Sequence, residues 1–119
     1  MKGAEMAECL FCRIVKREIP SKIVYEDEQC LAFEDINPQA PVHILIIPKR
    51  HIDGLSQVTT ADSDLLVHLL LTLNRLAKEK GIIDSGYRTV INSGPAGGQT
   101  VFHLHLHLLG GRPMQWPPG

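Results

Sequence analysis

Near its C-terminus the chain reads Val101-Phe-His-Leu-His-Leu-His-Leu-Leu109, histidine and leucine in strict alternation. A period of two is that of an extended strand, whose successive side chains point to opposite faces. His103, His105 and His107 are therefore assigned to one face, and Leu104, Leu106 and Leu108 to the other. The leucines belong to the core and the histidines to a surface or cleft. Three imidazoles on one face would repel one another if all were protonated, so at least one is expected to be neutral at pH 7. A neutral imidazole can attack phosphorus, which makes the central His105 the candidate nucleophile. Such chemistry needs a group that holds the other ring nitrogen and donors that receive charge on phosphate oxygens. The preceding loop, Asn92-Ser-Gly-Pro-Ala-Gly-Gly-Gln-Thr100, is expected to supply donors, because its glycines free backbone N–H groups to turn toward an anion. A three-histidine metal site competes with this reading, since imidazole is a favoured zinc ligand. Against it, His103 and His107 are separated by roughly 13 Å of strand.

The other periodic segments define an α+β architecture. Residues 22–26 and 30–35 read as a hairpin, 41–48 as a central β-branched strand bounded by prolines, and 88–92 and 101–109 as two further strands. Leu10, Phe11, Ile14 and Val15 have helical spacing before the stop at Pro20. From about residue 60 to 80 the stripe Leu65, Leu66, Leu69, Leu70, Leu73, Leu76 and Ala77 predicts one long helix, with Thr60 as N-cap and Gly81 as its stop. Val67 and Leu71 lie off that stripe and suggest a second surface, such as a partner subunit. Strands, one long helix and strands again imply a largely antiparallel five-stranded sheet.

A chain of 119 residues, 44% hydrophobic and 21% charged, fits a single soluble domain. Residues 1–8 read as a flexible arm and 9–119 as the domain with its tail, 110–119. A formal charge of −1 gives no long-range positive field, which argues against nucleic-acid binding. No apolar stretch approaches the roughly 20 residues of a membrane span, and the arm lacks a signal-peptide core, so a cytoplasmic location is expected. The three cysteines form no disulfide framework. Cys9 and Cys12 have the two-residue gap of half a zinc site, and two free thiols explain that gap equally well.

The histidine run resembles the signature of the histidine triad (HIT) family. Further segments are similar to its nucleotide-binding branch: Phe33-Glu-Asp-Ile-Asn-Pro-Gln-Ala-Pro-Val-His43, Ile46-Ile-Pro-Lys-Arg-His51, Asn92-Ser-Gly, Gly97-Gly-Gln-Thr-Val-Phe-His103 and the tail from Gly110 to Gly119. The resemblance implies a homodimer with one continuous sheet, and a phosphoramidase that cleaves purine nucleoside phosphoramidates through a nucleotidyl-His105 intermediate, with no cofactor needed for catalysis. It implies that the main-chain carbonyl of His107 orients His105, that His43 and His103 support the site, and that Asn92 and Thr100 contact phosphate beside Gly98 and Gln99. Asp35 is expected to bind the ribose, although a turn-capping role explains it equally well. Leu10, Phe11, Ile14, Phe33, Ile36 and Leu45 are expected around the base. Thr100 stands where many relatives carry serine, which keeps the hydroxyl and stiffens its rotamer. Some relatives hold a structural zinc through residues matching Cys9, Cys12, His51 and His103. The tail with Trp116 is expected to influence substrate choice. A non-catalytic purine-nucleotide-binding scaffold is the alternative function.

Overall fold

The computed structural model describes residues 8–119, so the proposed arm falls outside the described residues except for Glu8. Helix α1 (Leu10–Val15) leads into strands β1 (Ile23–Glu26), β2 (Cys30–Glu34) and β3 (Val42–Pro48). Short 3-10 turns precede helix α2 (Ser63–Glu79), and β4 (Tyr87–Val90) and β5 (Leu106–Gly110) close the chain. The sheet order is β1-β2-β3-β5-β4, with every neighbouring pair antiparallel. This is the expected α+β fold, with β4 at one edge and the histidine-bearing β5 in the interior.

Alternation decides what each face of the sheet meets. Cys30, Ala32, Ile44, Ile46, Leu104, Leu106 and Leu108 pack against Leu69, Leu73, Leu76 and Ala77 of α2. Leu31, Phe33, Leu45 and Ile47 face the other way and pack against Phe11 and Ile14 of α1. Each fully buried leucine or isoleucine contributes roughly 2 kcal/mol relative to exposure. Register places His107 opposite Leu45, on the α1 face and away from the leucine core.

Several details differ from the sequence reading, including the end of β4, at Val90 rather than Asn92. Thr60 does not cap the long helix: Thr59 caps a 3-10 turn, in a reciprocal box with Asp62, and α2 starts at Ser63. The helix ends as predicted, with Gly81 at φ 74° and bonds from Ile82 N–H to the Ala77 carbonyl and from Gly81 N–H to the Lys78 carbonyl. Leu70 is exposed rather than part of the core stripe, and its place is taken by buried Thr72 against Cys30. The fifth strand begins at Leu106 rather than Val101. Before it the backbone leaves the sheet, and the Leu104 N–H donates to the Ile52 carbonyl at 2.7 Å. Among the described residues, no helix is long and apolar enough to cross a membrane.

Candidate functional site

On the α1 face lies a cavity of about 680 Å³. Its walls include Leu10, Phe11, Ile14, Phe33, Ile36 and Leu45, one side being apolar, and Asp35, Asn92, Gly98, Thr100, His105 and His107 on the other. Residues from both ends of the chain meet there because β3 and β5 are adjacent while α1 crosses the outer face. Ile36 reaches the cavity from an exposed rim position. Gln99 does not line it. The buried Gln99 amide instead holds the loop, donating to the Asp53 and Val101 carbonyls and accepting from the Gly94 N–H.

The glycine loop corrects a second expectation. The N–H groups of Gly97, Gly98 and Gln99 are spent inside the loop on the carbonyls of Gly94, Pro95 and Gly94. With those three N–H groups bonded within the loop, Asn92 and Thr100 are the loop residues on the cavity wall that carry polar side chains. Gly98, at φ 92°, supplies the left-handed turn that returns the chain toward the histidines.

The hydrogen bonds determine which nitrogen of each ring carries its proton. His105 Nδ1 lies 2.7 Å from the His103 carbonyl, which can only accept. Nδ1 therefore bears hydrogen, and Nε2 keeps the lone pair. The carbonyl belongs to His103, not His107 as expected. The His107 backbone lies within β5, paired with Leu45 on one side and Val90 on the other, whereas His103 precedes the ladder. His43 Nδ1 accepts from the Gln39 N–H at 3.0 Å, so the neutral ring carries its proton on Nε2. That Nε2–H faces His107 Nδ1 at 2.9 Å and Asp35 Oδ2 at 3.4 Å. His107, accepting at Nδ1, must carry its own proton on Nε2. Burial lowers the pKa of His105 and of His43, and brings His107 to about 4, so these rings are neutral at pH 7. Asp35 uses Oδ1 to cap the turn at the Asn37 N–H, 2.8 Å away, as its turn-capping reading requires, and it also borders the cavity.

His103 points elsewhere. Its ring is 0% exposed and sits with Cys9, Cys12 and His51 behind the cavity. His103 Nδ1 is 3.4 Å from Cys9 Sγ and 3.5 Å from Cys12 Sγ, and His51 Nδ1 is 3.3 Å from Cys12 Sγ. A zinc tetrahedron with sulfur at about 2.3 Å and nitrogen at about 2.0 Å has mixed edges of roughly 3.5 Å, which these three sulfur–nitrogen separations match, and all four donors lie within 4.8 Å of one another. Their outer hydrogen bonds suit the same task. His103 Nε2–H donates to the Pro48 carbonyl at 2.8 Å and His51 Nε2–H to Asp53 at 2.7 Å, leaving both Nδ1 lone pairs turned inward. Asp35, His43 and His107 also cluster. There the only lone pair on neutral His43 is taken by Gln39, so that trio is arranged to fix tautomers rather than to ligate.

A family model for the HIT domain matches residues 16–114. The chain belongs to the HIT family. It is 60% identical over 112 residues to an uncharacterised HIT-like protein of Synechococcus elongatus, covering 94% of this chain and 97% of that one. The solved structure of a HIT family hydrolase from Legionella pneumophila superposes with a TM-score of 0.92 at 54% identity, covering 93% of this chain and 99% of that chain. A zinc-bound histidine triad family protein from Mycobacterium smegmatis has a TM-score of 0.76 at 35% identity, with 90% and 77% covered.

In this HIT chain several supporting residues carry no sequence signature of their own. Gln39 acts through its main chain, and Asp53 is legible only as an acid two residues beyond His51. His68 donates from Nε2 to Asp27 at 2.6 Å and ties α2 to the β1-β2 turn. The tail is anchored in part, since Arg112 donates to the Gln39 carbonyl and Arg88 to the Gln115 carbonyl, while Trp116 is exposed.

Proposed function

We propose that this HIT protein is a purine nucleoside phosphoramidase of the nucleotide-binding branch, acting through a nucleotidyl-His105 intermediate. The observation that carries the reading is the single bond from His105 Nδ1–H to the His103 carbonyl, which leaves an unprotonated Nε2 on a cavity of nucleotide size. The purine stacks among Phe11, Ile14, Phe33 and Leu45, and Asp35 receives the ribose hydroxyls. Asn92, Thr100 and His107 Nε2–H donate to the phosphate. Nε2 attacks the α-phosphorus, a P–N bond to His105 forms, and the substrate's P–N bond breaks. The amine departs with a proton drawn from solvent, and the water that cleaves the intermediate to the nucleotide returns one.

The remaining parts of the reading follow the same residues. Zinc fits Cys9, Cys12, His51 and His103 by donor chemistry and spacing, and would tie α1 to the segment before β5. A second copy of the chain fits the β4 edge together with the exposed Val67, Leu70 and Leu71 of α2, which the Tyr87 hydroxyl links to β4 through Asn74. Three free thiols suit a cytoplasmic location.

His105→Asn tests the chemistry: hydrolysis of adenosine phosphoramidate should fall at least about a thousand-fold while AMP affinity stays within about three-fold. Turnover at the wild-type rate by that variant would remove His105 as nucleophile. Binding without turnover by the wild type would favour a nucleotide-binding scaffold.

A further inference from the structure

The metal-binding cluster and the nucleophile share one residue. His103 gives its ring to the cluster and its main-chain carbonyl to His105. Its ring is held at both nitrogens, by the Pro48 carbonyl on one side and by the two cysteine sulfurs on the other. Its backbone is not held by the sheet, because β5 starts only at Leu106. The carbonyl that sets the His105 tautomer is thus located by an anchored side chain and by the Leu104 bond to Ile52, which is itself the neighbour of His51. Phe11 closes the space between the two histidines, with its ring centroid 6.0 Å from that of His103 and 5.1 Å from that of His105.

We propose that His103 is a positioning residue for catalysis, and that metal occupancy of Cys9, Cys12, His51 and His103 sets the rate of nucleotidyl transfer by fixing the carbonyl that orients His105. This rests on the zinc-binding reading above and on the phosphoramidase reading, and goes beyond both. A purely structural metal has a different signature. Cys9 caps α1 and Cys12 lies within it, so loosening them would displace Phe11 and Ile14 and weaken nucleotide binding. Loss of the His103 anchor acts instead on the reacting nitrogen, and it lowers kcat.

His51 separates the two because it lies outside both α1 and the His103–His105 segment. The full chain is prepared as wild type, His51→Ala and His51→Cys, and each is assayed for zinc content, AMP affinity, kcat, and the 15N-edited imidazole spectrum that reports the His105 Nδ1 proton. His51→Ala should lose zinc, keep AMP affinity within about two-fold and lose about ten-fold or more in kcat, since misplacement by a fraction of an ångström suffices for such a loss. Its His105 Nδ1–H signal should broaden or vanish. His51→Cys makes a Cys3His set, and it should restore zinc, the signal and kcat together. Zinc-free His51→Ala with wild-type kcat and an intact signal overturns the coupling while leaving the metal reading standing. Wild-type protein purified without chelators and lacking zinc overturns the metal reading itself. If His51→Ala does not fold, wild type stripped by chelator and shown folded by circular dichroism is measured in its place, with the same two outcomes.

Discussion

Replacing His43 by asparagine or by glutamine separates the two hydrogen bonds that this ring makes. Its Nδ1 accepts from the Gln39 N–H at 3.0 Å, and its Nε2–H donates to His107 Nδ1 at 2.9 Å. Asparagine places a polar atom near the Nδ1 position and nothing at Nε2, whereas glutamine extends an N–H to about the Nε2 position and abandons Gln39. In His43→Asn, His107 Nδ1 loses its donor, and the ring is free to move its proton to Nδ1 beside Asp35. The Nε2–H proposed to donate to the phosphate is then gone. Loss of one preorganised donor to a phosphoryl transition state costs on the order of 100-fold in kcat, about 3 kcal/mol. His43→Gln keeps the His107 tautomer, and its kcat should stay within about five-fold of wild type. It should pay instead in stability, by about 1 kcal/mol for the Gln39 bond. The assay is steady-state hydrolysis of an adenosine phosphoramidate, paired with urea unfolding of each variant. Equal kcat in the two variants, or an unimpaired His43→Asn, would refute the assignment of His107 as a donor fixed by His43.

Three further outcomes are expected. His107 titrates near 4 in the folded chain and near 6.5 unfolded, so between those values the unfolded state binds a proton that the folded state does not. Stability should be level above pH 6.5 and fall as pH drops through that window; urea midpoints at pH 7 and 5 measure it, and His107→Asn should reduce the slope. The Asp27 carboxyl is desolvated, which raises its pKa, yet hydrogen bonds from Tyr25, Gln29, Cys30 and His68 outweigh that and hold it below the ordinary carboxylate range. Its contribution is full above about pH 3.9 and is lost as pH falls through the folded value, so Asp27→Asn should cost roughly 2 kcal/mol at pH 7 and progressively less in acid, followed by chemical unfolding. A Cβ on Gly97 would lie 2.5 Å from the Ser93 carbonyl oxygen, whereas one on Gly110 meets the movable end of Ile82 at the same distance. Gly97→Ala should therefore distort the phosphate-side loop and raise KM several-fold, with a loss of about 1–3 kcal/mol, while Gly110→Ala should be milder in both assays.

The sequence by itself determined the strands, the long helix and the two faces of the histidine segment, because period-two and helical patterns are local properties that burial enforces. Leu104, Leu106 and Leu108 lie in the core as their alternation requires, and the stop at Gly81 is written in a residue that tolerates positive φ. It also named Cys9, Cys12, His51 and His103, which the fold brings together as a candidate metal site, through resemblance rather than spacing. Only the tertiary structure decided where β5 begins, because just before it the His103 ring bonds to Pro48 at the end of β3 and the Leu104 N–H to Ile52 in the loop that follows. It likewise decided which carbonyl holds His105, which N–H groups the glycine loop consumes, and which nitrogen of each imidazole bears its proton. Those are properties of pairs far apart in the chain: Cys9 and His103 meet across 94 positions, and His43 and His107 across 64. A ring's tautomer follows from whatever fixed donor or acceptor the fold brings to its other nitrogen, and no local pattern encodes that partner.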